Sequence, residues 1–172
     1  MAWQNKTFGW AKQLGIGNSY QQQFFDKHAA FLLKTKGHHS GDFKVVSTGK
    51  QLELKSDQYH KTDNFFIERW SNKDEQKPGG PWQARRHGTD YFIYWFPHQN
   101  EIYLFDVELM IEALDIIIPT LKPVDIKNIS YTTQGYKVPK SHLISDILEL
   151  TKDNMQHNRQ GYMGTDVTIL FK

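Results

Sequence analysis

Apolar and charged residues alternate along one short segment in the first third of the chain. Leu52 and Leu54 alternate with Glu53 and Lys55, so a β-strand at this point buries both leucines on one face. The carboxylate and the ammonium group then stand together on the opposite face. Residues 43–48 also have a strand-like composition, and the two segments together predict a β-hairpin.

The length of the hairpin turn decides whether Asp42 joins Glu53 and Lys55. With an even number of turn residues, positions that face each other sum to an odd number, and Asp42 lies on the same side of the sheet. A turn made by Thr48 and Gly49 sets Asp42 opposite Lys55, with Glu53 one diagonal step away at about 7–8 Å. A three-residue turn would instead place Asp42 on the other face.

The hydrophobic pattern of the rest of the chain predicts further helices and strands. Helices are predicted at 20–32, Val107–Ile117 and 141–151, and strands at 64–70, Tyr91–Phe96, 102–105, 126–132 and 167–171. Asn18 or Ser19 is a suitable N-cap for the first helix, and Gly37 a suitable stop. Residues 72–88 are predicted to form a long loop. This order indicates one α/β (α+β) domain over residues 1–172, with a central mixed β-sheet flanked by helices.

The composition of the 172-residue chain excludes several classes of protein. It has no cysteine, so neither a disulfide scaffold nor a thiolate zinc site is available. Apolar runs such as 116–118 are too short to span a membrane, and no secretory signal begins the chain, so we expect a cytoplasmic protein without a membrane partner. The net charge of +2 does not by itself indicate nucleic-acid binding.

The charged residues of the hairpin suggest a metal site. Asp42 and Glu53, with the backbone carbonyl of Leu54, offer the oxygen ligands that Mg²⁺ or Mn²⁺ takes. Such a metal lowers the pKa of a bound water and neutralises charge on a phosphate, while Lys55 would orient that water or stabilise developing negative charge. The alternative is an ordinary solvated strand face, because Glu-x-Lys occurs often by chance.

This layout resembles the PD-(D/E)XK nuclease superfamily, the restriction-endonuclease-like fold, in which a first helix precedes a hairpin carrying Asp and then Glu-x-Lys. The residues that match the motif are Gly41-Asp42 and Glu53-Leu54-Lys55. Glycine 41 replaces the proline that gives the motif its name. Three later segments, 62–68, 78–80 and 89–94, resemble small phage-type members, although Asp63 stands where they have glycine. The resemblance extends over roughly residues 18–106.

The resemblance also points to accessory residues. Glu68 would bind a second metal or hold Lys55, and Gln22 stands on the first helix, where related nucleases place an acidic or amide residue beside the metal. Asp57 would assist from the end of the strand. The alternatives are a surface pair of Glu68 with Arg69, an exposed Gln22 and a turn-forming Asp57.

Candidate contacts to nucleic acid lie in two basic segments. Trp82, Arg85 and Arg86 in the long loop combine a stacking surface with two guanidinium groups that suit phosphate. His39, just before the hairpin, is a further candidate for a phosphate contact. The alternative for the loop is a tryptophan packed in the core and two solvated arginines.

The leading hypothesis is a Mg²⁺- or Mn²⁺-dependent DNA nuclease that hydrolyses phosphodiester bonds. The resemblance permits an endonuclease, an exonuclease or a Holliday-junction resolvase-like enzyme, and a resolvase would be a homodimer because its substrate is two-fold symmetric. A phage-encoded protein of this kind would act in the host-cell cytoplasm. Two alternatives are a catalytically silent nucleic-acid-binding module on the same fold and a phage-encoded interaction protein.

Overall fold

The protein is an α+β fold with four helices and ten strands in the part that the structure, a computed structural model, describes. That part comprises residues 4–36, 40–59, 61–99, 101–153 and 162–163, with side chains described between residues 15 and 147. The helices are α1 (Gln4–His28), α2 (Gly80–Arg86), α3 (Val107–Ile117) and α4 (Lys140–Asp153). The strands are β1 (Leu32–Lys34), β2 (Phe43–Val45), β3 (Gln51–Ser56), β4 (Asn64–Asn72), β5 (Lys77–Pro78), β6 (Tyr91–Phe96), β7 (Glu101–Asp106), β8 (Pro123–Lys127), β9 (Thr132–Pro139) and β10 (Tyr162–Met163).

The first sheet is mixed, with the strand order β1-β2-β3-β6-β7-β10. Strands β3 and β6 are parallel, and every other neighbouring pair is antiparallel. A parallel pair needs a crossover connection, which the segment 57–90 supplies through β4, β5 and α2. The predicted mixed sheet is therefore present.

The first sheet separates two layers of the hydrophobic core, and alternate side chains of β6 point into one layer or the other. Ile93 and Trp95 pack with Phe24 of α1 on one face of the first sheet. Phe92 and Tyr94 face the other side, where α2, α3 and α4 complete a larger core. A strand buried on both faces has no polar alternation, which explains the nearly continuous apolar sequence of β6.

A second, antiparallel sheet, with the order β5-β4-β9-β8, was not predicted. One face of this sheet packs against the larger core, through Phe65 and Ile67 of β4 and Val138 of β9. Phe65 lies 4.9 Å from Tyr94 of the first sheet, ring centre to ring centre. The opposite face of this second sheet is not part of that core.

Several predicted elements need correction. Helix α1 continues through Asn18 and Ser19 rather than beginning there, and it ends at His28, so Leu32 lies in β1 and not in the helix. The predicted loop 72–88 contains β5 and α2. The strand predicted at 126–132 is replaced by the β8–β9 hairpin, and the strand predicted at 167–171 lies outside the described residues.

The predicted hairpin is confirmed, with a different register. Phe43 faces Leu52, and the Val45 amide donates to the Lys50 carbonyl, so the turn has four residues, 46–49. An even turn keeps the predicted parity, but the register moves by two residues. Asp42 precedes β2, and its negative charge acts on Glu53, the position that this register would set beside it in place of Lys55.

No helix in the described ranges is long and apolar enough to cross a membrane.

Candidate active site

A cleft of about 1020 Å³ lies beside the charged face of β3. Residues of α1 between 16 and 21, including Tyr20 and Gln21, form one wall, and β3 with Asp42 forms the floor. The outer face of the second sheet forms the other wall. The lining residues from that sheet include Phe66, Glu68, Val124, Ile126, Thr133 and Lys137.

Asp42 lies at the point where β2 and β3 stop pairing. Its carboxylate accepts a hydrogen bond from the Leu54 amide at 2.9 Å and another from the Gln21 side-chain amide. The Asp57 amide bonds to β6, so alternate amides of β3, including that of Leu54, face the β2 side. The Leu54 carbonyl faces the same edge as its amide. The carboxylate of Asp42 and this carbonyl therefore share one edge of the strand.

Glu53 stands on the cleft face of β3, next to Asp42. Burial, followed by the negative charge of Asp42, raises the pKa of Glu53 to about 8. Burial also raises the pKa of Asp42, although its hydrogen bonds from Leu54 and Gln21 act in the opposite direction. Among the described residues, neither carboxylate has a basic side chain within 4.0 Å. Two neighbouring carboxylates in this condition form a site that a cation would stabilise.

Lys55 shares the cleft face of β3 and acts on Glu68 of the second sheet. Burial raises the pKa of Glu68, and the positive charge of Lys55 opposes that rise. The Glu68 side chain packs so closely on Gly79 that a Cβ there would lie 2.6 Å from its Oε1 atom. The glycine-containing segment before α2 thus packs against Glu68 on the side of the cleft where the charge of Lys55 acts on it. The predicted roles of Glu68, in holding the lysine or in binding a second metal, stay predictions.

Asp57 lies at the end of β3 and joins the two sheets through Tyr94. The Tyr94 hydroxyl donates to the Asp57 carboxylate at 2.6 Å and accepts from the Phe66 amide of β4 at 3.0 Å. Burial, followed by the Asp57 charge, raises the pKa of Tyr94, so the hydroxyl stays protonated. Asp57 is therefore engaged in structure as well as lining the cleft.

The structure places Gln21, and not Gln22, beside Asp42. Gln22 is exposed and bonds to Asp26 and Lys34. Helical spacing could have identified Gln21 from the sequence. Gln21 lies three and seven residues before the buried Phe24 and His28, so it shares their side of the helix, whereas Gln22 does not have this spacing.

Among the residues predicted to contact nucleic acid in the long loop, the two arginines lie at the surface and the tryptophan does not. Trp82 is buried, with 5% of its surface exposed, and the Arg69 guanidinium lies over its ring at 4.5 Å. It belongs to the core, so its predicted stacking role is wrong. Arg85 and Arg86 are exposed at the end of α2, where Arg85 pairs with Glu108 at 3.5 Å, and neither lines the cleft. His39 lies outside the described residues.

Gly41 approaches the backbone of β3 closely. A Cβ at this position would lie 2.6 Å from the Leu52 carbonyl oxygen. The proline that the resemblance leads one to expect would carry such an atom. Glycine is therefore required by packing here, and it brings Asp42 close against β3.

The donor set fits a hard divalent cation with few protein ligands. Two carboxylates and one carbonyl are the oxygen ligands that Mg²⁺ combines with water and substrate phosphate. In the part of the chain that the structure describes, no three His, Asp or Glu side chains gather as a metal-binding group. A cation at this site would therefore have Asp42, Glu53 and the Leu54 carbonyl as its protein ligands, and water or substrate oxygens would have to complete its coordination.

Comparison with protein-family models, with curated proteins and with solved structures found no match to this chain. The relation to the PD-(D/E)XK superfamily stays a prediction from the residues described above.

Proposed function

We propose that the protein is a metal-dependent nuclease that hydrolyses phosphodiester bonds of DNA, on a restriction-endonuclease-like fold. The observation that carries this proposal is the partly buried pair Asp42 and Glu53, without a basic partner in the described residues, on the floor of an open cleft. The helix α1, the hairpin and the parallel pair β3–β6 support the proposed fold.

In this proposal, one group of residues holds the metal and another orients its ligands. Asp42, Glu53 and the Leu54 carbonyl would hold Mg²⁺ or Mn²⁺, which supplies an activated water and neutralises phosphate charge when bound. Gln21 and the Leu54 amide orient the Asp42 carboxylate through their hydrogen bonds. These bonds keep the ligand in place before a metal or substrate arrives.

Lys55 would act on the substrate rather than on the metal. Its ammonium group stands on the same strand face as Glu53, two residues further along, and lines the cleft. There it stabilises negative charge that develops on the phosphate during attack. Glu68 is a positioning residue, because its charge attracts Lys55 from the opposite wall.

The experiment that tests this proposal is a cleavage assay on supercoiled, linear and branched DNA with Mg²⁺, Mn²⁺ or EDTA. We expect metal-dependent cutting that Asp42→Asn and Glu53→Gln abolish. Lys55→Met should reduce the rate by about 100- to 1000-fold, the usual loss when one charge-stabilising donor is removed. The form of DNA that is cut distinguishes endonuclease, exonuclease and junction-resolving activity, and cleavage of a branched substrate calls for a test of the homodimer by sedimentation.

Two matched variants separate the site from general effects. Lys44→Met removes an exposed lysine on the neighbouring strand, outside the cleft, and Glu75→Gln removes an exposed carboxylate in a turn. Both should cut like the wild type. Binding of DNA without metal-dependent cutting would replace the proposal by a silent binding module, and neither binding nor cutting would leave an interaction protein.

A further inference from the structure

The wall of the cleft opposite Asp42 and Glu53 has an unusual composition for an outer sheet face. The outer wall is defined here by Phe66, Val124, Ile126, Thr133 and Lys137. Residues on the solvent side of an antiparallel sheet with one covered face are normally polar. Three of these five are apolar, and 44% of the surface of Ile126 is exposed.

The pairing of the strands aligns these side chains on one surface. Phe66 of β4 faces Lys137 of β9, and Ile126 of β8 faces Thr133 of β9. Gly135 lies between these pairs, and a Cβ there would lie only 2.6 Å from the Phe66 ring. The ring therefore lies directly on the strand, next to the other side chains of the outer wall.

An exposed aromatic residue stands at the edge of the same cleft. Tyr59 lines the cleft and has 64% of its surface exposed. Its amide donates to the Asp57 carboxylate at 2.7 Å, and this same carboxylate accepts the Tyr94 hydroxyl. The Tyr59 backbone is thus tied to the link between the two sheets.

The charges of the cleft do not suit a DNA duplex. Its described lining carries the carboxylates Asp42, Glu53, Asp57 and Glu68 but only the ammonium groups of Lys55 and Lys137. A bound divalent cation would only balance this excess. Duplex-binding proteins commonly neutralise about 6–10 phosphates with basic side chains, whereas single strands are bound through stacking of bases on apolar and aromatic surfaces.

From these observations we propose that DNA enters the cleft as a single strand, with unpaired bases against the outer wall and Tyr59. This inference rests on the proposed nuclease function and specifies its substrate class. The phosphate next to the bases lies toward Asp42, Glu53 and Lys55 on the floor. Lys137, beside Phe66, contacts one further phosphate. Duplex DNA would be a substrate only where it frays or carries an unpaired flap.

The test measures binding by fluorescence anisotropy in Ca²⁺, which takes oxygen ligands like those of Mg²⁺, and cleavage in Mg²⁺. The probes are a single strand, the blunt duplex of the same sequence and a single strand with abasic sites in place of its central bases. We expect the single strand to bind at least about tenfold more tightly than the duplex, since each stacked base adds roughly a factor of 5–100.

Two variants and one control address the wall directly. Tyr59→Ala should weaken single-strand binding about tenfold, and Ile126→Thr about threefold. Ile129→Thr is the matched control, because Ile129 is 63% exposed in the same hairpin but does not line the cleft. All three positions are exposed, so melting temperatures should change little. On the abasic strand the deficits of Tyr59→Ala and Ile126→Thr should disappear.

The outcomes separate this inference from the proposed nuclease function. Metal-dependent cutting of blunt duplex as fast as of single strand, with Tyr59→Ala and Ile126→Thr behaving like the wild type, overturns the inference alone. Deficits that persist on the abasic strand also overturn it, since the wall would then not contact bases. Absence of binding and cutting for every probe overturns both.

Discussion

The two faces of β3 differ in composition and in their effect on stability. On one face, Leu52 is completely buried and packs with Phe43 and Ile93 against α1. On the other face, Glu53 is held next to Asp42 in a partly buried position where its charge is disfavoured. One strand thus carries both apolar residues that stabilise the fold and a carboxylate whose ionisation lowers its stability. Such a cost is typical of sites selected for binding or catalysis.

The apolar face should respond most strongly to a mutation. Leu52→Ala removes buried methyl groups from the layer under α1 and should lower the free energy of unfolding by about 2–5 kcal/mol. Chemical denaturation measures this loss. The matched control is Leu33→Ala, because Leu33 is 57% exposed and should cost little. A loss below 1 kcal/mol for Leu52→Ala would contradict the close packing described for this face.

The charged face should respond in the opposite direction. The pKa of Glu53 is raised from 4.5 to about 8, so between these values the carboxyl is ionised in the unfolded chain and protonated in the folded one. Wild-type stability therefore falls as the pH rises through this window, and the loss is complete above about pH 8. Glu53→Gln cannot ionise, so it should be more stable than the wild type by roughly 1–3 kcal/mol at pH 8.5 and about equal at pH 4.

Denaturation curves at several pH values, with EDTA present, measure this difference. Glu75→Gln, at an exposed turn, retains Glu53, so its stability should follow that of the wild type at every pH. Adding Mg²⁺ should stabilise the wild type and leave Glu53→Gln nearly unchanged, because ligand binding stabilises only the form that binds. Equal stability of variant and wild type at every pH would mean that Glu53 is solvated and ionised.

The alternation at Leu52 and Leu54 was sufficient to predict which residues of β3 face the cleft. The exact register was not predictable, because two-residue and four-residue turns have the same parity, and the alternation of apolar residues does not distinguish them. The structure pairs Phe43 with Leu52, which requires the longer turn. The second sheet could not be predicted from the sequence for a different reason. Strand β4 pairs with β9, far away in the sequence, and a local pattern cannot identify a distant partner.

The smallest predicted effect concerns the link between the two sheets. Tyr94→Phe removes the hydroxyl that bonds Asp57 and the Phe66 amide, and it should cost about 1 kcal/mol of stability. Tyr103→Phe is the control, since its hydroxyl bonds Glu101 within the same strand. We expect nuclease activity to fall for Tyr94→Phe and to persist for Tyr103→Phe. Equal activities would show that the link does not set the shape of the cleft.

The parallel pairing of β3 with β6 has a consequence for how the chain reaches this structure. The hairpin β2–β3 closes through a short turn, but its other edge stays open until the segment 57–90 has crossed over. Contacts so distant in sequence form slowly, since loop closure must precede them. During synthesis, an early hairpin bearing Asp42, Glu53 and Lys55 would expose a strand edge that invites aggregation, so its maturation depends on the arrival of β6.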